Sequence, residues 1–286
     1  MRRRFAGACI ALAIATAAAP AQPIKIVAAE NFYGDIARQI GGGNVVVTSI
    51  LTNPDQDPHE FEASPSTARA LADADVVVYN GADYDPWAEK LLAASPSSAR
   101  QIIVTAVLVH KKPGDNPHVW YDPNTASILA RTVADTLGRL DPVHSGDYQS
   151  RLAIFEKSTT ALTAQITKLR QKYAGTPVAA TEPVFGYMAD ALGLVMRARR
   201  FQLAVMNDTE PSAADIAAFE KDLRSEAVKV LIYNSQTSDA LTRRMRELAV
   251  QAGVPVVGVT ETEPRGKDYQ EWMRSQLDAL DRALAR

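Results

Sequence analysis

A single cysteine, Cys9, occurs among 286 residues, and it lies inside an N-terminal segment that reads as a removable leader. The rest of the chain has no thiol, which excludes disulfides and thiolate metal sites alike. Histidine is nearly as scarce, with only His59, His110, His118 and His144. There is no histidine-rich loop and no H-E-x-x-H motif. No run beyond the leader approaches the ~20 apolar residues that span a bilayer. Surplus basic charge is also missing. Losing the three leader arginines takes the net charge from −2 to −5. With no basic stripe left, no nucleic-acid partner is expected.

The leader itself has three parts. Arg2, Arg3 and Arg4 precede an alanine-rich apolar run from Phe5 to Ala19, and Ala19-Pro20-Ala21 supplies small residues at a cleavage site. Residues 1–21 therefore read as a cleaved export signal, which places the mature protein in the periplasm.

Beyond it, short runs rich in β-branched residues alternate with helical patterns. Ile24–Ala29, Val45–Leu51, Val76–Asn80 and Ile102–Leu108 read as strands. In the second half Val178–Thr181, Val195–Ala198, Val230–Tyr233 and Val256–Val259 do the same, with helices at Ala213–Ser225 and Asp239–Ala252. This alternation predicts an α/β protein with mainly parallel sheets. Between the halves Tyr148, Leu152, Phe155, Thr159, Leu162, Ile166, Leu169 and Tyr173 recur at steps of four and three. That spacing predicts one unbroken helix, about 39 Å long over the stripe at the usual rise per residue. The expected organisation is a leader over 1–21, an α/β lobe over 22–140, a linking helix over 141–174 and a second α/β lobe over 175–286.

Four residues stand out as candidate metal ligands. His59 follows Pro58 in Asn53-Pro54-Asp55-Gln56-Asp57-Pro58-His59-Glu60-Phe61. His118 follows Pro117 in Asn116-Pro117-His118-Val119-Trp120-Tyr121-Asp122-Pro123. Proline restricts the residue before it and stiffens both loops, which suits ligands held in place before an ion arrives. Glu182 and Glu261 each end an apolar strand of the second half. Ligands of open α/β sheets bind at the carboxyl ends of strands. Two imidazoles and two carboxylates then face one cleft, with Glu263 the alternative to Glu261. His110 and His144 sit in polar surroundings and read as ordinary surface residues.

These segments resemble the zinc- and manganese-binding solute-binding proteins that serve metal ABC transporters. The resemblance rests on the two histidine motifs in order, on Phe185-Gly186-Tyr187 and on Glu210-Pro211-Ser212 opening a helix. It implies two lobes bridged by one long helix, with a Mn2+ or Zn2+ ion between them as cargo. It also implies a monomer that docks on a membrane permease. By the family pattern, histidine is common at the third ligand position of zinc binders and glutamate at that of manganese binders; here it is Glu182. The fourth is usually aspartate, where this chain has Glu261. Four protein ligands leave no open position for a water nucleophile, so capture is expected over the alternative of a secreted zinc hydrolase.

Overall fold

The computed structural model describes residues 22–55, 57–236 and 239–286; the expected leader lies outside them. Strands β1 (Ile24–Glu30), β2 (Val45–Leu51), β3 (Val76–Tyr79) and β4 (Gln101–Val104) form one sheet in the order β2-β1-β3-β4. Strands β5 (Pro177–Ala180), β6 (Val195–Arg197), β7 (Leu231–Asn234) and β8 (Val256–Val259) form a second in the order β6-β5-β7-β8. Every pairing is parallel. The two lobes thus share one plan, and the ends of their inner strands reach the cleft between them.

Burial explains the strand composition. All four residues of β3 are buried, whereas the edge strand β2 is buried only at its two ends, Val45 and Leu51. Inner parallel strands are covered on both faces and so read as continuous apolar runs. The covering helices of the first lobe are α1 (Asn31–Gly41), α2 (Pro65–Ala72), α3 (Pro86–Ala94), the single turn α4 (Thr105–Leu108) and α5 (Thr125–Leu140). After α6 (Ser145–Tyr173), the second lobe carries α7 (Gly186–Ala191), α8 (Arg199–Met206), α9 (Ala213–Arg224), α10 (Ala240–Gln251) and α11 (Tyr269–Leu284).

Helix α6 is the spine, 29 residues long. Its buried residues are the eight of the predicted stripe, Tyr148 through Tyr173. The N-terminal part packs on α1 and α5, the C-terminal part on α11. One hydrophobic core runs through it from Ile26 and Phe32 in the first lobe to Trp272 and Leu277 in the second.

Several elements depart from the sequence expectation, helices α7 and α8 among them, which it does not include. The strand expected over Ile102–Leu108 stops at Val104, and the next four residues make a helical turn. The Ala106 N–H donates to the Asn80 carbonyl at 2.8 Å, hooking the chain back over β3. A short apolar run fits strand and helix equally well, so periodicity alone does not separate them. Helix α11 was not anticipated. Asp268 caps it in a reciprocal capping box with Glu271, and Trp272, Met273, Gln276, Leu277 and Leu280 line its buried face.

Behind the cleft, β1 ends in Glu30, whose surface is fully buried. Burial, and then the charge of neighbouring Asp85, push its carboxyl well above the ordinary range. Burial also lifts Asp85 to about 6. Asp85 accepts the backbone N–H groups of Asn80 and Gly81 at 2.6 and 2.8 Å. These bonds hold a loop in which Gly81, Ala82 and Asp83 all take positive φ.

Two predictions follow the packing and the acid pair. Leu162→Ala, on the buried stripe, should cost roughly 2–5 kcal/mol in urea unfolding. Exposed Ile154→Ala on the same helix should stay within about 0.5 kcal/mol. Equal costs would mean the stripe does not carry the packing. Glu30 has a folded pKa above its unfolded one, so the folded state holds an extra proton. Its contribution is full below the unfolded value and is lost as pH rises toward the folded one. Glu30→Gln should therefore gain on wild type as pH rises from 5 to 8. A stability difference that does not vary with pH would contradict the assignment.

Candidate metal centre

Each candidate side chain is placed by local chain chemistry. Asp57 caps the short 3-10 turn Pro58–Glu60 by accepting the His59 N–H at 2.9 Å. The fixed φ of Pro58 suits the first position of that turn. His59 ends up 36% exposed at its side chain, at the rim. His118 precedes the turn Val119–Tyr121, with its side chain 1% exposed. Glu261 follows β8 and is completely buried. Glu182 follows β5, 5% exposed, just ahead of the turn Pro183–Phe185.

Three of the four come together directly. The Nε2 atoms of His59 and His118 each lie 3.5 Å from Glu261 Oε2. All three ligand atoms fall within 4.8 Å of one another. Donors at about 2.1 Å from a tetrahedral ion stand about 3.4 Å apart, so the spacing matches a small divalent cation. Glu182 joins the trio through an amide: Asn234 Nδ2 donates to Glu261 Oε1 at 2.5 Å and to Glu182 Oε2 at 3.2 Å.

The tautomer of His118 can be read from its partners. The Asn116 Nδ2 donates to the Pro183 carbonyl at 2.8 Å, so its Oδ1 faces the imidazole. That Oδ1 lies 2.6 Å from His118 Nδ1, which must carry the hydrogen. The lone pair is then on Nε2, a buried atom without a hydrogen-bond partner, facing a carboxylate oxygen. Two electron-rich atoms at that distance leave a place for a cation. Fixing of a ligating imidazole through its far nitrogen is general in metal sites.

Electrostatics favour an ionised Glu261. Burial raises its carboxyl, but the facing rings of His118 and then His59, in their protonated form, and the Tyr84 hydrogen bond outweigh that and bring it down to about 2. Tyr84 donates to Oε2 at 2.9 Å. Burial and then the Glu261 charge push the phenol well above its ordinary range, so it remains a donor. Glu263 lies elsewhere: burial, followed by the Asp35 charge, raises it to about 9. Its backbone is clasped by Asn31, which donates to its carbonyl at 2.7 Å and accepts its N–H at 3.0 Å.

His110 is exposed with φ 58°, away from the trio. His144 pairs with Asp141 at 2.6 Å beside α6. Sequence reasoning missed Tyr84, Asn234 and Asn31 as site residues. The one signal available was Asn234, a polar amide closing an apolar strand. Among the described residues no helix is long and apolar enough to cross a membrane.

Known proteins show the same organisation. The manganese ABC transporter substrate-binding lipoprotein PsaA of Streptococcus mitis is 24% identical, over 94% of this chain and 92% of that protein. The zinc-binding protein AdcA of Streptococcus pyogenes is 26% identical over 83% of this chain, which spans only 52% of that longer protein. Among solved structures, the periplasmic zinc-binding protein TroA from Treponema pallidum superposes with a TM-score of 0.77 at 19% identity, covering 92% of this chain and 100% of that one. A manganese-bound mutant of a periplasmic metal-binding protein from Candidatus Liberibacter asiaticus gives 0.76 at 18% identity, covering 91% and 99%. These structural likenesses establish the fold. The model of the periplasmic zinc-uptake complex component A family, ZnuA, matches residues 26–283, and the chain belongs to that family.

Proposed function

We propose that this protein captures one manganese or zinc ion outside the cytoplasm and delivers it to the permease of an ABC importer. The ligands are His59 and His118 from one lobe with Glu182 and Glu261 from the other. The observation that carries this reading is the buried, unpartnered His118 Nε2 facing Glu261 Oε2 at 3.5 Å, with His59 Nε2 equally far from the same oxygen. Four protein donors close the shell and leave no position reserved for a reacting water, so the protein holds its ion without catalysis. It works as a monomer, with the metal as cargo and no nucleic-acid partner. The relatives' names, one a manganese and one a zinc protein, support the same class of ion.

Demetallated protein should melt higher on addition of Mn2+ or Zn2+, and a chelator should reverse the gain. At a hundredfold excess over Kd the stabilisation is about 2.7 kcal/mol. If neither ion moves the melting temperature, capture is refuted.

Calorimetry on single variants tests the ligands. His59→Ala and His118→Ala should abolish tight binding, whereas His110→Ala and His144→Ala should leave it intact. Affinity should fall as pH drops and protons compete for the imidazole nitrogens. Glu261→Gln should weaken Mn2+ more than Zn2+, since manganese favours charged oxygen donors. Glu263→Gln should bind as wild type does. The reverse order for the two glutamates would move the fourth ligand by two residues.

A further inference from the structure

We propose that Asn234 limits the number of oxygen donors at this site, holding Glu261 to a single-oxygen grip and so tilting selection toward zinc. The inference rests on the ligand set proposed above and adds to it a residue that touches no ion.

Asn234 closes β7 and is 4% exposed. Its amide orientation is fixed, because Oδ1 accepts the Gln236 N–H at 3.0 Å. The amino group must then face the carboxylates. It carries two hydrogens, one for Glu261 Oε1 at 2.5 Å and one for Glu182 Oε2 at 3.2 Å. The bond to Glu261 is charge-assisted, the stronger kind. It occupies the oxygen that a bidentate carboxylate would have to turn toward the ion. The other oxygen, Oε2, is the one facing both imidazoles.

The backbone resists a turn as well. Gln236 Oε1 accepts the N–H groups of Glu261 and Thr262 at 2.5 and 3.1 Å, and Gln236 Nε2 donates to Thr262 Oγ1 at 2.9 Å. Glu261 therefore delivers one oxygen from a braced position. Two imidazoles and two one-oxygen carboxylates give a four-donor shell, which zinc accepts in tetrahedral geometry. Manganese is better served by a larger, oxygen-rich octahedral shell. Asn234 is thus a positioning residue whose effect appears in the ratio of affinities rather than in either one alone.

The test compares wild type with Asn234→Ala and with Asn234→Leu, which keeps the branched shape, with bulkier ends, but makes no hydrogen bonds. Mn2+ and Zn2+ affinities are measured by competition with a chelating dye in one buffer. Infrared spectra of the loaded proteins give the splitting between the asymmetric and symmetric carboxylate stretches. The Mn-to-Zn affinity ratio should rise about tenfold or more in both variants, the scale of one hydrogen bond to a charged group. In the Mn2+-loaded variants the splitting should narrow to the bidentate pattern, while wild type keeps the wide one-oxygen pattern. An equal loss of both affinities with an unmoved spectrum would reduce Asn234 to a structural role and overturn the inference. Should neither variant fold, the wild-type spectrum decides, because a bidentate pattern there defeats the proposal and a one-oxygen pattern sustains it. Wild-type protein that binds neither ion would instead refute the capture reading beneath it.

Discussion

A carboxylate with no surface in water has to be balanced from within, and Glu261 is that group. An uncompensated charge in such a place is prohibitive. The surroundings supply Tyr84 on one oxygen, Asn234 on the other and two imidazoles beyond. Each of these comes from a different part of the chain, so the placement of Glu261 ties the ends of β3, β7 and β8 to both histidine loops. The compensation is still partial, since His118 Nε2 has no hydrogen-bond partner. A divalent cation at the proposed site would complete it by answering the carboxylate and both lone pairs together.

The site sits on a seam that is largely aromatic. Phe32 and Trp120 of the first lobe meet at a tilt, ring centres 4.9 Å apart, and Trp272 of the second lies 5.5 Å from Phe32 and 5.8 Å from Tyr121. Polar ties cross the same seam. Tyr269 donates to the Trp120 carbonyl at 2.8 Å, and Asn31 clasps the Glu263 backbone. Interfaces inside a chain resist relative motion when they are large and apolar. This one also keeps the Glu261 loop in register with the histidines, while Glu182 belongs to a separate segment that reaches the first lobe through Asn116 and Pro183.

Much of this was legible from residue order. The α6 stripe was written in steps of four and three, because a helix packed along its whole length must keep one face apolar. Both histidine motifs were marked by the proline before them. What could not be read depends on contacts between distant segments. The choice between Glu261 and Glu263 turns on where a loop of the second lobe meets Tyr84 and Asn31, far away in sequence. The turn that ends β4 depends likewise on the Asn80 carbonyl. Helix α11 was missed although its capping box and apolar spacing were present.

The two imidazoles differ sharply in their access to solvent, His59 at 36% and His118 at 1%. On the proposed ligand set, an arriving hydrated cation would meet His59 first and shed its water in stages, each replaced by a protein donor, rather than all at once. The buried donors would then set how firmly the ion is held, and the rim imidazole, on the turn that Pro58 opens, would be the first contact it gains and the last it loses.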